Sequence, residues 1–429
     1  MFKESSSPPI PALTGLRFIA AFMVALGHGL HKFAPVPGEV PIWHSVFGSL
    51  PGLAMELFFV LSGFVIHYNY SSPILEQGGR GVYNFFVARF ARLYPLYFLG
   101  LAFDLFNSYS YYQLTPHAGA ALPYYLAMVQ SWLYKPFGDR SLILLFGPLP
   151  SVAWSISVEW FFYLMYPLLC FLISRIRSKS KLALCTAVYI VAALSLVAVV
   201  IANRAPIMAA AATRYGPVSV DVQNSYFRWL LYFSPYSRIQ GFILGCLTAE
   251  LFLKQRETSP GDREQRIGRW LLLGSIAGTA VIFMMMFGLP SEFRPEWQRF
   301  FVLFHMCFGF APFLALLTFC CARYQSFVVR GLSGRWILLC GEASYSLYLL
   351  HLVVMERVGM SSPPAVTTRI LLGDLMRLGL CLLTCVGLSL VTWRLIEMPG
   401  RTWLRRLLSV PASSTDKTKL SVAGDKAVV

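Results

Sequence analysis

Charge is what this chain has least of. Only 13% of its 429 residues are Asp, Glu, Lys or Arg, roughly half the share of an average globular protein. With 56% hydrophobic residues and a mean hydropathy of +0.60, there is too little polar surface to coat a soluble domain. The excess apolar surface must face lipid. Acidic residues are scarcer than basic ones, 20 against 36, which leaves a net charge of +16. Basicity on that scale attracts phosphates and invites a nucleic-acid reading. The basic residues, however, form no single stripe; they fall in short clusters between long apolar runs, the pattern of membrane loops. No nucleic-acid partner is expected.

Metal-ligand spacing is missing too. Nine cysteines are present, but no C-x-x-C pair or Cys/His ligand pattern accompanies them, so neither a metal nor a resident cofactor is expected. Most, including Cys170, Cys246, Cys381 and Cys385, lie inside apolar runs and read as small hydrophobes. There is no internal repeat and no clear cleavage site after the first apolar stretch, which is therefore expected to be retained.

What is there is a series of apolar segments. A span needs about 20 mostly apolar residues, and candidates run over 13–33, 51–70, 92–112, 154–174, 181–202, 233–253, 269–289, 299–322, 336–357 and 370–397. These predict an all-α bundle of about ten spans. An eleventh stretch, 119–134, is shorter and contains Pro123 and Gln130. Basic clusters lie near residues 80–92, 175–181, 254–269, 323–335 and 401–406. Ten crossings from a cytoplasmic N-terminus put all five clusters inside, as the positive-inside rule asks; one further crossing at 119–134 would throw the later ones outside. That stretch is therefore expected to be interfacial or re-entrant, and both termini cytoplasmic. Residues 1–408 form the membrane domain, and the polar tail 409–429 is expected to be disordered.

Ionisable groups within spans are costly and tend to face the bundle interior. Counted from the helix ends, His28, Glu56, Glu159, Arg238 and His351 all fall at one level in the outer third of the membrane, which predicts one polar chamber. Arg17 lies near the other face, as do Arg89 and Arg92, whose i,i+3 spacing puts them on one helical side. Guanidinium groups grip phosphates bidentately. Arg17 and His28 are eleven residues apart, on one face and roughly 16 Å apart along the axis. An extended phosphate-bearing molecule such as coenzyme A has the length to join them. Plainer readings stand beside this one: the arginines suit positive-inside anchoring, and His28, Glu56 or His351 suits interhelical hydrogen bonding. Tyr345 and Tyr348 read first as packing and hydrogen-bonding residues.

At these residues the chain resembles the acyltransferase-3 family of membrane acyltransferases. Six fragments carry the resemblance in order: Leu13-Thr14-Gly15-Leu16-Arg17-Phe18 with His28; Glu56 through Phe64; Arg89-Phe90-Ala91-Arg92-Leu93-Tyr94-Pro95; Trp154 through Glu159; Ser344 through His351; and Arg394 through Pro399. The resemblance implies transfer of an acyl group, usually acetyl, from cytoplasmic acyl-CoA to a hydroxyl of a carbohydrate or similar acceptor. It matches Arg17 and His28 to the family's Arg-x10-His motif and Arg89 and Arg92 to its Arg-x-x-Arg motif. Gln240 stands where relatives often have an acid. Some relatives append an esterase-like domain; none is seen in this sequence, so direct transfer is expected.

The expected roles follow. His28 is the general base, its imidazole suited by a pKa near neutrality, and Glu159 orients it as the carboxylate of a triad does. Arg17, Arg89 and Arg92 bind the acyl-CoA phosphates, while Glu56, Arg238, Tyr345 and His351 support the chamber. Acyl-CoA is a co-substrate, and the protein is expected in the inner cell membrane as a multi-pass protein. A proton-coupled transporter or flippase is the rival reading, because buried histidines and carboxylates also build proton relays.

Overall fold

Backbone surrounded by lipid must satisfy its own hydrogen bonds, so long apolar runs become helices. In the computed structural model, which describes residues 8–32, 46–107, 118–145, 152–221, 224–287, 300, 302–304, 306–358 and 372–408, they do. The helices are α1 (Pro11–Lys32), α2 (Leu50–Gln77), α3 (Gly79–Asn107), α4 (Ala118–Leu126), α5 (Trp154–Ser174), α6 (Lys179–Ala202) and α7 (Arg204–Tyr215). They continue with α8 (Pro235–Leu253), α9 (Asp262–Phe287), α10 (Ala311–Arg323), α11 (Phe327–Leu332), α12 (Arg335–Glu342), α13 (Ser344–Arg357), α14 (Leu372–Thr392) and α15 (Met398–Leu408). Among the described residues, seven helices are long and apolar enough to cross a membrane, and an eighth span results if α12 and α13, bent by 70° at their junction, count as one. The other two expected segments correspond to α8, which carries Arg238 and Glu250, and to the 13-residue α10. The tail 409–429 lies outside the described residues.

The bundle is built around α2 and α8, which pack against each other more extensively than any other pair. Small residues let them do so. A Cβ on Gly63 would collide with the Phe242 carbonyl, and one on Gly245 with the Val60 carbonyl. With no hydrophobic drive between helices in lipid, such close backbone approach supplies the dispersion contact that holds them together. Phe162 of α5 then stacks on Phe242, with ring centroids 4.9 Å apart.

The short stretch 119–134 does not form a span. Its helix, α4, has nine residues, about 14 Å of length, and is followed by turns and a two-residue hairpin, β1 (Pro136–Phe137) against β2 (Arg140–Ser141). The turns fold inward. Gln130 and Ser131 are fully buried, and their side chains donate to the carbonyls of Ala153 and Trp154 at the start of α5. The first turn of α5 is thereby held inside the protein.

Polar contacts gather the basic helix ends at one end of the bundle. Tyr68 near the end of α2 donates to the Pro8 carbonyl before α1. His67 meets Glu250 of α8 at 3.1 Å. Arg323, ending α10, pairs with Glu264 of α9 at 3.1 Å and donates to the Gln255 carbonyl.

Candidate active site

Five helices enclose a cavity of about 770 Å³ of atom-free space that opens to solvent. Arg17 comes from α1, Ser62 from α2, Arg89 and Arg92 from α3, Ser155 and Glu159 from α5, and Tyr345 and Tyr348 from α13. Three arginines spread over 75 residues of the chain thus line one cavity. Arg89 is buried, donates to the Tyr70 hydroxyl at 2.6 Å and lies over that ring at 4.7 Å. Tyr345 donates to the Leu93 carbonyl at 2.8 Å, which pins the arginine-bearing turn of α3 to α13. Glu397 accepts from Ser346 at 2.9 Å, with Arg92, Arg17 and Arg401 in electrostatic reach.

Glu159 lines this cavity, among hydroxyls and arginines. Its carboxylate accepts from Ser62 at 3.0 Å and from Tyr163 at 2.5 Å, and it stands in electrostatic reach of Arg17 and Arg89. Ser62 is six residues further along α2 than Glu56, about 9 Å by helical rise. Counting from helix ends assumes that the ends are level. In the structure the start of α5 is held by Gln130 and Ser131, and Glu159 meets Ser62 and Tyr163 beside the arginines.

The partner of His28 is another histidine. Its Nδ1 lies 2.8 Å from Nε2 of His351, and His351 Nδ1 lies 2.6 Å from the Tyr348 carbonyl. The ring planes are parallel within 4° with centroids 5.1 Å apart. That separation equals the N–N distance plus two ring radii, so the rings meet edge to edge, as a hydrogen bond requires. The tautomers follow from donor counting. A carbonyl can only accept, so neutral His351 carries its proton on Nδ1 and accepts at Nε2. His28 must then donate from Nδ1, which puts its lone pair on Nε2. This is the tautomer a general base needs. His351 is fully buried, and Tyr348 ties the pair to the cavity: its hydroxyl accepts from Ser155 at 2.8 Å and donates to the Val152 carbonyl, while Phe58 meets its ring edge-on. His28 and His351 themselves do not line the cavity, which Phe58 and Tyr348 do.

Glu56 and Arg238 form a third cluster. Both are buried to within 1% of their surface. Glu56 accepts from the Phe310 amide at 2.8 Å with one oxygen, and Arg238 donates from Nε to the Tyr232 carbonyl; among the described residues the other Glu56 oxygen and both terminal nitrogens of Arg238 have no hydrogen-bond partner. Tyr232, Phe59 and Trp154 surround the guanidinium at 4.4 to 5.8 Å. Charged groups so deep and only half satisfied are expensive to keep. The five groups expected in one chamber therefore form three adjoining clusters, with Tyr348 in electrostatic reach of both Glu159 and Arg238.

Ser62, Tyr70, Ser155 and Tyr163 were not singled out by sequence. Neutral hydroxyls in apolar helices carry no cost large enough to mark them. Ser62 follows Glu56 by six residues and falls in the same motif, the one signal that pointed to it.

Comparison with known proteins decides the class. The family model described as an acyltransferase domain matches residues 10–394. The chain belongs to that family. It is thus an acyltransferase of the membrane, in the acyltransferase-3 family that its motifs resemble. The acyltransferase MdmB of Streptomyces mycarofaciens is 26% identical over 352 residues, covering 81% of this chain and 79% of MdmB. The O-acetyltransferase OatA of Staphylococcus aureus is 26% identical over 333 residues, covering 75% of this chain; the match spans about half, 49%, of OatA. Protein 2 in the picA locus of Rhizobium radiobacter is 40% identical over 101 residues, 23% of this chain and 46% of that protein. No solved structure matches the chain.

Proposed function

We propose that this membrane O-acyltransferase takes an acyl group, acetyl in the first instance, from acyl-CoA at the basic end of the bundle and passes it to a hydroxyl of a carbohydrate or similar acceptor. By the positive-inside rule that end faces the cytoplasm, with the protein multi-pass in the inner cell membrane. Arg17, Arg89 and Arg92 hold the phosphates through charge-assisted hydrogen bonds. The observation that carries the reading is the chain from His28 through His351 to the Tyr348 carbonyl, which directs the His28 lone pair to Nε2, while Tyr348 itself lines the cavity that holds the three arginines. The printed names of MdmB and OatA agree with acyl and O-acetyl transfer.

In this reading the acceptor hydroxyl gives its proton to His28 Nε2 as its oxygen bonds to the acyl carbon. The carbon–sulfur bond breaks, and the departing thiolate takes up the proton. His351 is the positioning residue: it fixes the tautomer and shares the charge of the imidazolium, the part first assigned to Glu159. Glu159, held by Ser62 and Tyr163, instead orders the cavity between the arginines and Tyr348. Phe58 and Tyr348 must part for the cavity to reach His28. Arg238 and Glu56, with donors and an acceptor to spare between aromatic walls, suit a polyhydroxylated acceptor.

The test is paired. His28→Ala should cut turnover by ~10²–10⁴-fold, the usual worth of a general base, while acetyl-CoA affinity and the melting temperature of the detergent-purified protein hold. A stable variant with near-normal turnover refutes the assignment. Loss of stability and donor binding together would make His28 a packing residue.

A further inference from the structure

The cavity has a mouth and a blind end, and its lining changes character between them. Arg17, Ser62, Arg92 and Glu159 line it with half-buried side chains, whereas Met55, Phe59 and Ile156 line it with only 2–4% of their surface exposed. The two sets lie at different depths. Arg89 bonds Tyr70 on α2, and Met55 stands fifteen residues back along that helix, about 22 Å by helical rise. Ser62 meets Glu159 and His67 meets Tyr166, so α2 and α5 run in the same direction and Ile156 stands level with Phe59. The cavity therefore passes from charged, solvent-reached walls to a narrow apolar recess.

The floor of the recess is fixed. Phe59 packs edge-on against Trp154 and Phe162, with ring centroids 6.3 and 5.3 Å away, and the Arg238 guanidinium lies over its ring at 5.7 Å. Ile156 is held in the first turn of α5, where its amide donates to the Ala153 carbonyl at 3.1 Å. Close-packed side chains of this kind have no free rotamer to retreat into. The side of the recess differs. Phe58 is only half-buried where it meets Tyr348 edge-on, with centroids 5.9 Å apart, and this is the pair that must part to admit His28.

Depth, apolarity and tightness together specify the occupant. A molecule held by its phosphates at the arginines presents its acyl end here. The apolar walls gain from covering a methyl group and would strand a charged or hydroxylated one. Walls with so little free surface leave room for few atoms.

We propose that Met55, Phe59 and Ile156 gauge the acyl chain of the donor: they seat the methyl of an acetyl group against the floor, turn its carbonyl toward Phe58 and Tyr348, and exclude longer chains. The inference rests on acyl-CoA being the donor and adds the residues that set its chain length. Ile156 is the stiffest of the gauge, because a β-branched side chain on a helix keeps one χ1 rotamer, whereas Met55 can adapt.

The experiment is calorimetric titration of the full chain in phosphatidylcholine nanodiscs with coenzyme A and its acetyl, propionyl, butyryl and hexanoyl thioesters, which needs no acceptor. The wild type should bind acetyl-CoA best and lose at least about tenfold by hexanoyl-CoA, the low end of what a misfit methylene is worth in an apolar pocket. Ile156→Ala removes more carbon than butyryl adds to acetyl, so that variant should bind butyryl-CoA about as tightly as acetyl-CoA. Its affinity for unacylated coenzyme A should stay at the wild-type value, because the phosphates are held elsewhere. Ile156→Val takes away a single methyl and serves where the alanine variant does not fold; it should raise propionyl-CoA affinity severalfold and still exclude hexanoyl-CoA. Wild-type affinities that do not vary with chain length overturn the proposal and leave the donor reading intact. A preference for acetyl that persists unchanged in both variants does the same. Uniform loss of affinity for coenzyme A and every thioester would make Ile156 a packing residue and also overturn it. No binding of any of these compounds by the wild type removes the donor reading, and this inference with it.

Discussion

Helices α2 and α6 are both apolar enough to span a membrane, yet they answer to different surroundings. In the most apolar window of α2, 72% of residues are buried inside the protein; in that of α6, only 22% are. Leu184, Val188 and Val191 of α6 are at least 60% exposed, whereas α2 keeps Glu56, Gly63 and His67 in its buried set. The contrast inverts the habit of soluble proteins. Where lipid is the solvent, uninterrupted hydrophobicity marks the outside, and the segment broken by Glu, Ser, Gly and His is the core.

The comparison can be broken most severely at the α2–α8 contact. Gly63→Leu puts a branched side chain where the Phe242 backbone already lies, and overpacking against backbone has no rotamer escape. The expected outcome is loss of folded protein from membranes, read by size-exclusion profile after detergent extraction. A monodisperse, active Gly63→Leu protein would mean that the two helices are not locked together.

Next in size are the arginines proposed to hold the donor. Arg89→Ala and Arg92→Ala should each weaken acetyl-CoA binding by about 1.5–3 kcal/mol while the purified protein still melts cooperatively. Arg89 should show the larger effect, because its removal also strands the Tyr70 hydroxyl that it bonds. Equal affinity in both variants and wild type would return the arginines to the role of topogenic anchors.

His351 sharpens the contrast from the core side. His351→Leu should lower the turnover number without altering acetyl-CoA affinity, by less than the ~10²–10⁴-fold of a missing general base. His351→Gln, whose amide oxygen can accept the same hydrogen bond, should retain more activity than His351→Leu. If both variants lose activity and stability in parallel, the histidine pair is structural glue. The smallest effect belongs to the lipid face: Leu184→Ala on α6 should change the melting temperature and turnover hardly at all, within the ~0.5 kcal/mol typical of exposed positions. A large loss there would mean that α6 has a protein partner on that face.

Much of this was legible without coordinates, and the reason differs from residue to residue. Arg17, Arg89 and Arg92 were found because charge within apolar sequence is costly at any depth, and helical spacing alone said which of them share a side. The stretch 119–134 was set apart by charge bookkeeping, since an extra crossing would have misplaced every later basic cluster, and α4 proved too short to span. The neighbours of Glu159 were not legible, because they depend on how the start of α5 is held against α2. That start is held by Gln130 and Ser131, two residues of a loop that sequence alone marks only as irregular.

Composition and hydropathy therefore determined the solvent of this protein, the class of its fold, the motifs that place it among acyltransferases, and which residues are too expensive to be idle. These are sums over neighbours in the chain, and the chain contains them. Tertiary structure decided who meets whom. His28 and His351 are 323 residues apart, Ser62 and Glu159 are 97, and α15 returns to α3 from the far end of the sequence, Gly400 against Pro95. Such pairings depend on the axial offset and rotation of one helix against another, quantities fixed by loops, close-packed glycines and an inward-folded turn that no periodicity records.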